Sequence, residues 1–146
     1  MSVRIPAQIA EFVQQHQREV IEIRRVGSRE TCSPPPVGTD EDWLILLKTA
    51  PFHSARGGAE GWFAANGWVV GGSQDEGASS RFVSLTSGDL NVLLTVDDEF
   101  FTGTMTGMSI CKRLNLLDKA DRIAVVRACR ERSECEPRDP FGGVLS

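Results

Sequence analysis

The sequence predicts an α+β fold: a mixed β-sheet of about five strands packed against helices. Three observations carry this expectation. Short runs rich in β-branched and apolar residues are interspersed with stretches whose apolar residues recur at helical spacing. Arg81 to Thr86 and Leu90 to Val96 are two such β-rich runs separated by a Ser-Gly-Asp turn, the pattern of an antiparallel hairpin. Trp43 to Leu47 is unbroken apolar sequence, which suits a strand covered on both faces.

In chain order, Pro6 suits the first turn of a helix, and Ile9, Phe12, Val13, His16 and Val20 follow at helical spacing, giving a first helix over about residues 6 to 17. Val20 to Val26 reads as a short strand that stops at Gly27. Thr31 to Gly38 contains three consecutive prolines, which lack the N–H that helices and central strands need, so it is a loop. Trp43 to Leu47 is the next strand. After a Gly-rich stretch, Ala59 to Asn66 forms a short helix ending at Gly67, then Trp68 to Val70 a strand. Gly71 to Ser80 is a polar connector. The hairpin follows, and two helices close the domain: about Asp97 to Leu114, with Asp97 or Asp98 as cap, and Lys119 to Arg132. Gly103 and Gly107 lie four apart in the first of these and lower its stability unless a neighbouring helix packs closely there.

The chain's 146 residues suit one domain. We assign residues 1–136 to it and 137–146 to a loosely held tail. With 40% apolar and 25% charged residues and no apolar run of spanning length, the composition is that of a soluble protein, with the cytoplasm as default and no role for a membrane. Cys32, Cys111, Cys129 and Cys135 lack C-x-x-C spacing, and free thiols are expected. A net charge of −4 argues against duplex DNA as a partner. The basic residues between 112 and 132 read as a solvated helical face. Trp43, Trp62 and Trp68 read as core, His16 as a core or boundary residue, and His53 as a loop histidine without a specific task.

The chemistry concentrates at two strand ends. Side chains alternate along a strand, so Asp40 and Asp42 point to one side with their origins roughly 6.5 to 7 Å apart, close enough to share an ion. Mg²⁺ takes oxygen ligands, commonly one or two carboxylates plus substrate phosphates, and such a cation would compensate the mutual repulsion of the pair. Gly27 and Ser28 supply the complementary half, because a glycine at a strand end lets the backbone approach an anion while the Ser hydroxyl and exposed N–H groups donate to it. Arg29 adds a positive charge. Eleven residues, Pro-rich in part, separate Ser28 from Asp40, enough to return the second strand beside the first. A two-metal site needs a third carboxylate; Asp89 at the start of the later strand is the candidate and Asn91, a weaker neutral ligand, the runner-up.

The run V-G-S, eleven residues, then D-E-D-W-L-I-L resembles the signature of the DNA polymerase beta-like nucleotidyltransferase superfamily. "VGSRETC", "TDEDWLILL", "GDLNVLLTVDDEFF" and "KRLNLLDKADRIAVV" together are similar to small, phage-encoded nucleotidyltransferase-like proteins, over most of residues 20 to 126. The resemblance implies a nucleotidyltransferase-like sheet, a triphosphate held by Gly27 and Ser28, Mg²⁺ (or Mn²⁺) on Asp40 and Asp42, and Asp89 in the third-carboxylate position. It also implies transfer of a nucleoside monophosphate from an NTP, with ATP the first choice, to an acceptor hydroxyl on a protein or small RNA. The sequence departs from the pattern at Glu41, where an apolar residue is usual, and at Asn91. Those departures keep open a degenerate scaffold that inhibits or recruits a host protein; a metal-independent nucleotide sensor, sharing the Gly-Ser cradle but not needing Asp40 and Asp42, is a third reading.

Overall fold

The computed structural model of the chain describes residues 4–38, 40–48, 58–71 and 81–135, with the short strands 138–139 and 143–144. It is an α+β fold. The elements are α1 (Ala7–Gln15), β1 (Val20–Val26), α2 (Ser28–Thr31), β2 (Glu41–Leu47), α3 (Ala59–Ala65), β3 (Val69–Val70), β4 (Val83–Ser87), β5 (Leu90–Thr95), α4 (Asp98–Leu114), α5 (Lys119–Cys135), β6 (Arg138–Asp139) and β7 (Gly143–Val144). The first five strands form one sheet in the order β1-β2-β5-β4-β3. Only β2 and β5 run parallel; the other neighbours are antiparallel, so the sheet is mixed.

The unbroken apolar run of β2 has the expected cause. Trp43, Ile45 and Leu47 face a core built with Ile9 and Phe12 of α1, Phe63 of α3, Trp68, Leu85, Val92 and Leu94. Leu44 and Leu46 face the other core, with Val26, Leu93, Phe82 and the α4 residues Phe100, Phe101 and Met108. All five residues from Trp43 to Leu47 are buried. The hairpin forms as expected, with Gly88 at φ +59° opening a two-residue turn in the left-handed region that favours glycine.

Helix α4 starts where the acids indicate. Asp97 is its cap and its side chain accepts the Phe100 N–H at 3.0 Å. The glycines at 103 and 107 are explained by α5: an added Cβ would lie 2.9 Å from the Arg130 Cα and 2.7 Å from the Val126 Cα respectively, so the two helix backbones touch.

Several expectations are refined. A single helical turn, α2, follows Gly27 where the sequence gives no helical period, and the loop begins only after Thr31. Strand β3 has two residues, and Trp68 precedes it as a buried core residue. Trp43 is buried as well, and Trp62 is half-buried with its indole N–H donated to Gln15. His16 ends α1, stacked on Phe12, with its Nδ1 3.0 Å from the Phe12 carbonyl. Within the expected tail, β6 and β7 form a short antiparallel pair. Cys32, Cys111 and Cys129 are free thiols. His53, residues 72–80 and the side chain of Cys135 lie outside the described residues. Among those described, no helix is long and apolar enough to cross a membrane.

Candidate functional site

The end of β1 and the start of β2 meet at Val26 and Asp42, which are register partners in the antiparallel ladder. Gly27 follows at φ +84°, a conformation that L side chains rarely adopt. A Cβ built on Gly27 would sit 2.2 Å from Oδ2 of Asp42 and 3.1 Å from its Cγ. The Gly27 backbone is therefore one wall of the carboxylate's pocket, and glycine is required there by both conformation and space.

The other wall comes from β5. Parallel pairing aligns Asp42 with Asn91, and the Asn91 amide donates to Oδ1 of Asp42 at 3.2 Å. The Ser84 hydroxyl of β4 donates to the Asn91 side-chain Oδ1 at 3.2 Å, which fixes the direction of the amide. Asp42 thus has one oxygen hydrogen-bonded across the sheet and the other packed on bare backbone. Burial raises its pKa from 3.8 to about 6; the Asn91 hydrogen bond opposes that rise, the negative charge of Asp40 adds to it, and Lys119 and Arg29 counter it.

The remaining sequence candidates fall around this carboxylate with unequal roles. Asp40 is exposed at the mouth of β2, within electrostatic range of Asp42. Ser28, half-buried, opens α2 directly after Gly27. Arg29 lies in the field of Asp42 and 3.9 Å from Glu41. Glu41 also accepts the Trp43 indole N–H at 2.9 Å, so the acid between the two aspartates is tied down beside the strand. Asp89 is exposed in the hairpin turn, one residue before β5 begins, and its carbonyl accepts the Glu41 N–H at 2.8 Å. The side chain that the sheet register sets against Asp42 is that of Asn91, the runner-up for the third position.

Three contributors were not legible as such. Lys119, read as part of a solvated basic face, opens α5 and reaches Asp42 electrostatically. Ser84 carries no motif, and only the hairpin register reveals it. Asn115, at φ +49° after α4, accepts the Ser33 N–H at 3.0 Å and donates to the Ser33 carbonyl at 3.2 Å. With the Lys112–Glu30 ion pair at 3.1 Å and the Cys32 thiol on the Leu116 carbonyl, it anchors the segment after Gly27 to the end of α4. Two other arginines of this segment make structural contacts: Arg122 donates to the carbonyls of Leu116 and Leu117, and Arg130 donates to Thr104 and lies over the Phe100 ring.

Comparison of the chain with protein-family models, with curated proteins and with solved structures finds no match.

Proposed function

We propose that the chain is a minimal nucleotidyltransferase that moves a nucleoside monophosphate from an NTP, ATP by preference, to an acceptor hydroxyl. The observation that carries this reading is the contact between Gly27 and Asp42: the turn that would cradle phosphates packs directly on one of the two acids that would hold a cation. A five-stranded mixed sheet with both elements at its strand ends is consistent with that function.

The donor set fits one divalent cation. Asp42 is a buried carboxylate raised to about 6 with a second acid beside it, and a hard cation is the ligand that would compensate both charges. The fit does not extend to a second ion held beside Asp42, because that place is taken by an amide that donates to the Asp42 oxygen. Among the described residues, no three His, Cys, Asp or Glu side chains are grouped to hold a metal. In this reading Asp40 and Asp42 hold Mg²⁺ or Mn²⁺, which when bound supplies charge neutralisation to the phosphates. Gly27 and Ser28 receive phosphate oxygens, and Arg29 and Lys119 contribute positive charge to the same anion. Asn91, itself held by Ser84, orients Asp42. Asp89, at the turn leading into β5, would take the proton of the acceptor hydroxyl.

A second reading is favoured by one observation, the amide in place of an acid beside Asp42. There the fold serves as a scaffold that binds a protein, for example in a phage–host interaction, without transfer. One assay separates the two. The protein is incubated with each labelled NTP, Mg²⁺ and a lysate; transfer that disappears in a folded Asp42→Asn variant supports the enzyme. No transfer with any NTP, together with a biological effect indifferent to Asp40→Ala and Asp42→Asn, supports the scaffold.

A further inference from the structure

The two edges of the main sheet are unlike. At one end β3 is only two residues long, while at the other β1 presents seven residues whose one partner among the described residues is β2. Ile21 on β1 is 56% exposed. Such an edge offers unpaired N–H and C=O groups to any extended chain.

We propose that this edge is an interface with a second copy of the same chain, formed by antiparallel pairing of β1 with β1 about Ile23. The charge sequence of β1 favours this partner. Glu22 and Arg24 are two apart, so both project to the same sheet face, and they form an ion pair at 2.5 Å on the strand surface. A two-fold axis perpendicular to the sheet keeps each face on its own side, so the strands meet only in registers centred on a residue. Centred on Ile23, Glu22 of each copy faces Arg24 of the other, and four charges of alternating sign form a ring. Centring on Glu22 sets the two Glu22 carboxylates against each other, and centring on Arg24 does the same to the guanidinium groups. Among registers of this strand with its own copy, the one centred on Ile23 alone sets Glu22 opposite Arg24, so the charges that blunt promiscuous edge pairing favour it.

Two further features fit. On the same face, a groove of about 610 Å³ opens between β1 and α4, lined by Glu22, Arg24, Phe101, Met105, Ile110 and Arg113, so side chains of an incoming strand have space there. The pairing also has natural ends. The β1–β2 ladder is irregular between Val20 and Glu22, and Gly27 turns the chain out of the sheet at φ +84°, so the candidate site at Gly27 and Asp42 stays uncovered. The small, charged contact makes a weak, salt-sensitive dimer.

Sedimentation equilibrium of the full chain tests this, with Glu22→Arg and Arg24→Glu variants alone and mixed. The expected result is a dimer for the native chain at low salt, a dissociation constant at least about tenfold weaker for each variant alone, and recovery when the two variants are mixed, since the mixture restores opposite charges across the interface. A chain that stays monomeric up to several hundred micromolar (~10⁻⁴ M and above) overturns the proposal, as does a dimer indifferent to both variants. Should either variant misfold, hydrogen exchange of the native chain decides: protection of the β1 amides that rises with protein concentration supports the interface, and protection that does not change overturns it.

Discussion

Gly27 and Asp42 touch across the β1–β2 ladder, with the carboxylate so close to the Gly27 Cα that no side chain fits between them. This contact joins two stretches separated in sequence by a Pro-rich loop, and the proposed chemistry depends on it.

Gly27→Ala meets both a positive φ and the carboxylate, and is expected to lower stability by roughly 2 kcal/mol or more. Gly38→Ala is the matched control: its φ is +78° but among the described residues nothing lies within 4 Å of the added methyl, so about 1 kcal/mol is expected. Urea denaturation of the two variants separates conformational strain from displacement of Asp42.

The pKa of Asp42 is raised, so its contribution to stability is full below 3.8 and is lost as pH rises through about 6. Without divalent ions, Asp42→Asn should match the native chain near the lower value and become the more stable of the two across that window. The interval from 3.8 to about 6 corresponds to roughly 3 kcal/mol at most, and residual solvation reduces this to about 2 kcal/mol. Asp97 acts in the opposite sense: burial alone would raise it, but Arg81 and the Phe100 N–H hold it below 3.8, so its contribution is present above that value and is lost on acidification. Melting temperatures of the two proteins measured against pH check the sign.

Asn91→Asp places a second carboxylate in register with Asp42 and removes the hydrogen bond that supports it. Its stability without metal at about pH 8 should fall by at least ~1 kcal/mol, and Mn²⁺ should raise its melting temperature more than it raises that of the native chain. An equal response to Mn²⁺ would show that the amide does not limit the cation site.

Gly107→Ala improves helix propensity by about 1 kcal/mol yet forces a methyl to within 2.7 Å of the Val126 Cα. Overpacking against backbone costs about 1 to 3 kcal/mol, so a net loss is expected on chemical denaturation. A gain would mean that α4 and α5 are packed less closely than described.

Much of this architecture was legible in the sequence because local signals agreed with tertiary ones. The apolar run at Trp43 to Leu47, the Gly-containing hairpin turn and the acids at 97 and 98 each have one dominant physical reading, and each occurs where that reading puts it. Gly27 and Asp42 could be paired from their positions at strand ends. The alignment of Asn91 with Asp42 could not, because the parallel register of β2 and β5 is set by packing of both cores rather than by any local motif. Lys119 escaped for a similar reason. Its approach to Asp42 follows from the close α4–α5 contact and from Asn115 holding the Ser33 backbone, relations between segments far apart in sequence.

The most direct measurement is the melting temperature of the native chain and of Asp42→Asn with ATP, with Mg²⁺, and with both together. The expected result is a rise for the native chain that is largest when both are present, and no added effect of Mg²⁺ in the variant. A nucleotide response that ignores Mg²⁺, or one that survives intact in Asp42→Asn, would contradict it.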